Sequence, residues 1–143
     1  MLFRSCLLSD NEAENGGGMV NLNLSEPLLS HVIISGNTAS ETGGAILNRD
    51  SAPVITQSTI TENIASNANS SGIINENSSI TVNNSILWEN HRLDAQVVEV
   101  QIVDDLATPS AVNYSIIQGG WTGLGEHNLA EDPLFAEPVT DHI

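Results

Sequence analysis

Glu62 and Glu89 carry the most suggestive chemistry in this sequence. Each stands one residue before an asparagine, Asn63 and Asn90, and two residues after an apolar position, Ile60 and Leu87. If these segments stack on adjacent turns of a coil, the two carboxyl groups lie about 4.8 Å apart. A carboxyl pair near ~5 Å suits a retaining glycosidase. Asp10 and Gly36 hold the corresponding places earlier in the chain, so the pair also reads as stacked charge at a solvated bend. Trp88 stands beside Leu87. If Leu87 points inward, Trp88 points outward. An exposed Trp on a flat polar sheet is a platform for a sugar ring, unless the enlarged stretch of chain that follows folds over it. A lyase would also need a cation to hold its substrate's carboxylate. Arg4, Arg49 and Arg92 are the only basic residues besides the histidines, and they share no common place in the pattern.

Other chemistries find less support. His31, His91, His127 and His142 are dispersed, with no i, i+4 pair, so a transition-metal site is not expected. Asp104-Asp105 and Glu126, Glu131 and Asp132 are the acidic turns that would suit calcium, but they match neither the spaced Asp loop nor the nine-residue glycine repeat of calcium-binding proteins. The glycine clusters lack a following Lys-Ser/Thr, and no Gly-x-Ser-x-Gly elbow occurs, so neither a phosphate loop nor a hydrolase triad is supported. No resident cofactor is expected.

The composition narrows the partners. Eighteen acidic residues against three basic ones give 143 residues a formal charge of -15. Such a surface repels phosphate backbones and anionic lipid, which argues against nucleic acid and membrane surfaces. Apolar runs fall far short of the ~18 residues that span a bilayer. Residues 1–8 are too short for a secretion signal, so any export signal lies outside this chain. Cys6 is the only cysteine and reads as a small buried hydrophobe.

The elements that would position Glu62, Trp88 and Glu89 belong to a repeat. An apolar residue followed three positions later by Asn occurs at Leu8/Asn11, Ile34/Asn37, Ile60/Asn63 and Leu87/Asn90, with steps of 26, 26 and 27 residues. Ile117 continues the apolar column. Leu29, Ile55, Val82 and Val112 form a second column, and Gly16-Gly17-Gly18, Gly43-Gly44 and Gly72 a third, with Asn48 and Asn75 shortly after the last two. The runs are β-branched and bounded by Gly, Asn and Ser, and no window keeps a helical period, so each repeat reads as three short strands with turns. Three strands in one repeat, all at the same phase, fit one turn of a solenoid whose strands pair in parallel with their equivalents one coil away. The fold class is therefore all-β: a parallel β-helix of about five coils, roughly 24 Å long. Coils begin near 6, 32, 58, 85 and 115, with residues 1–135 one domain and 136–143 a tail. Asn11, Asn37, Asn63 and Asn90 form a ladder at one bend, where Asn tolerates a strained turn and bonds its neighbour.

Gly-Gly-Ala-Ile (43–46) and Ile-x-x-Asn (34–37, 60–63) resemble the repeats of polymorphic outer membrane proteins. The runs Asn84–Asn90, Tyr114–Trp121 and Asp132–Phe135 are similar to the closing coils of bacterial right-handed parallel β-helix surface proteins. The resemblance implies a right-handed winding and an extracellular or cell-surface location. It covers about residues 6–135. No anchor follows Phe135 and no cap precedes Cys6, so the chain reads as a C-terminal fragment or a very short member.

Residues 91–111 enlarge the fourth coil, with Val98, Val100 and Ile102 inward and Glu99 and Gln101 outward. Trp121 is expected to plug the C-terminal end, with Leu129, Leu134 and Phe135 folded over it. Residues 1–8 leave an uncapped apolar edge through which the chain would self-associate. The reading that follows is a non-enzymatic surface module, a stalk or adhesion segment whose partner is a polysaccharide or another surface protein. The alternatives are a carbohydrate-active enzyme or a sugar-binding module on Trp88, Glu62 and Glu89.

Overall fold

The computed structural model describes residues 1–66, 72–93, 100–105 and 109–136. These residues form strands and turns in four parallel sheets, which the chain visits in rotation. The first sheet stacks β1 (Leu2–Arg4), β5 (Leu28–Ser30), β9 (Val54–Thr56), β13 (Thr81–Asn83) and β17 (Ala111–Asn113). The second stacks β2 (Leu7–Ser9), β6 (Ile33–Ser35), β10 (Thr59–Thr61), β14 (Ile86–Trp88) and β18 (Ile116–Ile117). The third holds β3 (Glu12–Asn15), β7 (Thr38–Thr42), β11 (Ile64–Ala65) and β15 (His91–Arg92). The fourth holds β4 (Met19–Leu22), β8 (Ile46–Arg49), β12 (Ile73–Glu76) and β16 (Ile102–Asp104). The chain is thus a parallel β-solenoid of four full turns, and β17 and β18 begin a fifth.

The columns read from the sequence are the registers of these sheets. Leu8, Ile34, Ile60, Leu87 and Ile117 pair in succession across the second sheet. Leu29, Ile55, Val82 and Val112 do so across the first. Most strands of these two sheets are three residues long, so one side chain, the middle one, faces inward. Ile34, Ile60, Leu87, Leu29, Ile55 and Val82 are all fully buried in one continuous core. Burying each is worth roughly 1.5–3 kcal/mol.

Each repeat contains four strands rather than three. The unforeseen strands form the third sheet. Its inward positions include Ala13 and Ala39, flanked by polar residues, and Ala65, which follows a lone Ile64. A single small inward residue makes no apolar run, so the strand leaves no hydrophobic trace in the sequence.

The corners explain the other columns. Asp10, Gly36, Glu62 and Glu89 all turn the chain between second and third sheets with φ of 56, 66, 57 and 55°. Ser5, His31, Gln57, Asn84 and Tyr114 do the same between first and second sheets. Left-handed backbone costs an ordinary residue roughly 1–2 kcal/mol, which is why Gly36 fits its column as well as an acid does. Gly17 answers a different need. A Cβ there would stand 2.5 Å from the Gly44 carbonyl oxygen on the next coil.

The fifth coil is cut short. After β18 the chain crosses the end of the stack, and Trp121 packs against the core there, its Nε1 donating to the Leu124 carbonyl at 2.9 Å. The chain then rejoins the first and second sheets by single bridges, Ala111 to Leu124 and Ile116 to Leu129. Trp121 plugs the end as expected. Leu129 instead extends the second sheet and is largely exposed.

Candidate functional site

The asparagine ladder is a directed chain of hydrogen bonds. Asn11 donates its backbone N–H and its Nδ2 to Asn37 Oδ1 at 3.0 and 2.8 Å. Asn37 donates both to Asn63 Oδ1 at 3.0 and 2.9 Å, and Asn63 both to Asn90 Oδ1 at 3.1 and 2.7 Å. The second amide hydrogen reaches back to the preceding coil: Asn37 to the Leu8 carbonyl, Asn63 to Ile34, Asn90 to Ile60. Asn37, Asn63 and Asn90 are buried, and this pattern satisfies every polar atom they bring inside. These residues hold coils together.

A second ladder runs the same way along the fourth sheet, from Asn21 Nδ2 to Asn48 Oδ1, Asn48 to Asn75, and Asn75 to the Asp104 carboxylate. A third uses serine: the N–H groups of Val32, Ser58 and Ser85 donate to the hydroxyls of Ser58, Ser85 and Ser115. Each ladder ends on an acceptor of a different residue type from its own rungs. Asn90 ends on Gln101 Oε1, Asn75 on Asp104, and the Ser115 N–H on Asn128 Oδ1.

Gln101 corrects the sequence reading. The alternation placed it on the outer face of a strand running from Val98, but the strand begins at Ile102 and Gln101 is only 1% exposed. Its Oε1 takes the Asn90 amide and its Nε2 donates to the Asn90 carbonyl at 3.1 Å. Val98 and Glu99 lie outside the described residues. Asp104, one of the acids that would suit calcium, accepts from the Asn75 amide and the Ser110 hydroxyl through Oδ1 and from the Ser110 N–H through Oδ2. Both of its oxygens are therefore engaged within the fold.

Trp88, Glu62 and Glu89 do come together. Thr61 pairs with Trp88 in register, which places Glu62 and Glu89 at consecutive corners of one column. The three residues line a cavity of about 410 Å³ with Asp132, Leu134, Phe135 and Ala136. Its lining includes two aromatic residues and three that carry carboxyl groups. Two expectations change here. Trp88 is 9% exposed, so its ring is not an open platform. Residues 94–99 and 106–108 of the enlarged fourth coil lie outside the described residues; Leu134 and Phe135 line the cavity beside Trp88. Those two side chains lie beside the second-sheet corners Glu62 and Glu89 rather than over the solenoid's end.

The arginines sit in three different sheets: Arg4 on β1, Arg49 on β8 and Arg92 on β15. Arg49 Nε contacts Glu76 Oε2 at 2.6 Å, and this bond raises the guanidinium above its ordinary pKa. Both partners are about half exposed, so the pair contributes little to stability. His127 stacks on Tyr114 with ring centroids 4.9 Å apart. Among the described residues, no three His, Cys, Asp or Glu side chains are grouped to hold a metal ion. No protein-family model matches the chain, and neither the curated proteins nor the solved structures return a match.

Proposed function

We propose that this chain is a non-enzymatic β-helix module of an exported or cell-surface bacterial protein, a stalk or adhesion segment that holds ligand-contacting corners at fixed spacing. Its winding is right-handed, as parallel crossover connections nearly always are, in keeping with its resemblance to polymorphic outer membrane protein repeats. One observation carries the reading. The polar side chains that recur in every coil are bonded to the next coil, so the repeat is built for stacking. The charge of -15 suits a soluble exterior and a polysaccharide or protein partner rather than nucleic acid.

The cavity beside Trp88 favours a second reading, a sugar-binding module. Its three carboxyl groups have no arginine among the lining residues to hold an anionic substrate or to stabilise developing negative charge. The test is a panel of neutral and acidic polysaccharides, assayed for binding and for reducing-sugar and unsaturated products. A stalk gives no turnover. Turnover lost in Glu62→Gln or Glu89→Gln replaces the proposal with an enzyme. Binding without turnover, lost in Trp88→Ala, replaces it with the sugar-binding module.

A further inference from the structure

We infer that the cavity at the Glu62 and Glu89 corners binds a primary alkylammonium group, the head of a lysine side chain or of a free amine. The inference rests on the non-enzymatic reading above, since it names what the ligand-contacting corners hold. Glu62, Glu89 and Asp132 line that cavity with Trp88, Leu134 and Phe135, and no basic residue does. Its volume of about 410 Å³ falls among those of small-molecule sites, ~300–1,000 Å³. Walls of one sign repel an anion and concentrate a cation.

The two glutamates are held in place by their backbones and not by their carboxylates. Glu62 donates its N–H to the Trp88 carbonyl at 3.4 Å, and Glu89 donates its N–H to Gln118 Oε1 at 2.8 Å. Neither carboxylate has a hydrogen bond or ion pair among the described residues. Asp132 spends Oδ1 on the Leu134 N–H. Along the fourth sheet and its corner the acids are used within the fold instead. Asp104 accepts from Asn75 and Ser110, Asp105 from the Asn77 N–H, Asp50 from the Asn77 amide, and Glu76 pairs with Arg49.

The lining selects an organic cation. Among the described residues, no three acidic or histidine side chains are grouped closely enough to hold a metal ion, so these carboxyl groups suit a larger body. Trp88 and Phe135 attract an ammonium through their ring faces, and with Leu134 they give an alkyl stem apolar contact. A primary ammonium carries three N–H donors and no acceptor, which matches charged groups that only accept. A neutral sugar matches less well, because Trp88 is 9% exposed and offers little ring to stack on. The sequence contains no lysine, so a second copy of this chain supplies no such side chain.

The test follows Trp88 emission in the full chain carrying Trp121→Phe, with ligand-observed NMR on the unaltered chain as a readout that needs no substitution. n-Butylammonium and Nα-acetyl-lysine methylamide should each give a saturable response at roughly millimolar concentration. 1-Pentanol, similar in shape but uncharged, and sodium chloride at equal ionic strength should give none. The double variant Glu62→Gln, Glu89→Gln should bind both amines roughly tenfold or more weakly. An equal response to 1-pentanol or to sodium chloride overturns the inference, as does unchanged affinity in the double variant. No response to either amine also overturns it and leaves the stalk standing, since turnover judges that reading. Tighter binding of the lysine derivative assigns the ammonium to a protein partner, and tighter binding of n-butylammonium assigns it to a free amine.

Discussion

Gln101 does for Asn90 what Asn90 does for Asn63. Its Oε1 accepts both the Asn90 backbone N–H, at 3.3 Å, and the Asn90 Nδ2, at 2.7 Å. Along the regular ladder the same pair of bonds joins residues 26 or 27 apart, but Asn90 and Gln101 are only 11 apart. The enlarged fourth coil thus folds back to present a substitute rung, and the longer Gln side chain supplies the reach.

Replacing Gln101 by Leu would leave two buried Asn90 donors without an acceptor. Each orphaned donor costs roughly 1–3 kcal/mol. The expected outcome is a fall of about 2–5 kcal/mol in urea unfolding free energy, with Gln101→Glu, which keeps the acceptor, losing less. A Gln101→Leu chain as stable as the parent would show that Asn90 finds another partner.

The apolar ladder gives the simplest stability test. Ile60 is fully buried between its register partners Ile34 and Leu87. Ile60→Ala should cost about 2–5 kcal/mol through the cavity it leaves. A loss well below that range would mean the coils close around the gap. Thr59→Ala is the control, since Thr59 faces away from the core on the same strand.

Columns such as Ile34–Ile60–Leu87 and Asn37–Asn63–Asn90 were legible in the sequence because stacking repeats the same environment once per coil. The third sheet was not, because Ala13, Ala39 and Ala65, the small residues of its inward column, make no apolar run. Gln101 was missed for a related reason. Its ladder role comes from an insertion, so it shares no period with the asparagines it serves. Trp88, Glu62 and Glu89 line one cavity. That Leu134 and Phe135 line the same cavity was not foreseen, since the register of the second sheet says nothing of where that segment folds back.

Thr61 offers a test in the opposite direction. Its Oγ1 is buried with no hydrogen-bond partner among the described residues. Val has nearly the same shape and no hydroxyl, so Thr61→Val removes an unpaired group without opening a cavity. The expected gain is about 1 kcal/mol, read as a higher urea midpoint at unchanged slope. A lower midpoint would show that the hydroxyl is bonded in solution.

The last prediction separates the two tryptophans and bears on the ligand question. Trp88 is 9% exposed, in a cavity bordered by Leu134 and Phe135. Trp121 is partly exposed at the solenoid's end, its Nε1 bonded to Leu124. In Trp121→Phe, emission comes from Trp88 alone, and it should be blue-shifted and resist acrylamide quenching. In Trp88→Phe the remaining Trp121 should be quenched more readily. A stalk predicts that polysaccharides leave the Trp88 signal unchanged, because a ring only 9% exposed offers a sugar little surface to stack on. A sugar-binding module predicts the reverse: the Leu134–Phe135 segment gives way, and a saturable change appears in Trp121→Phe but not in Trp88→Phe. That result, with the Glu62→Gln chain responding equally, would move the function from the ladders to the cavity.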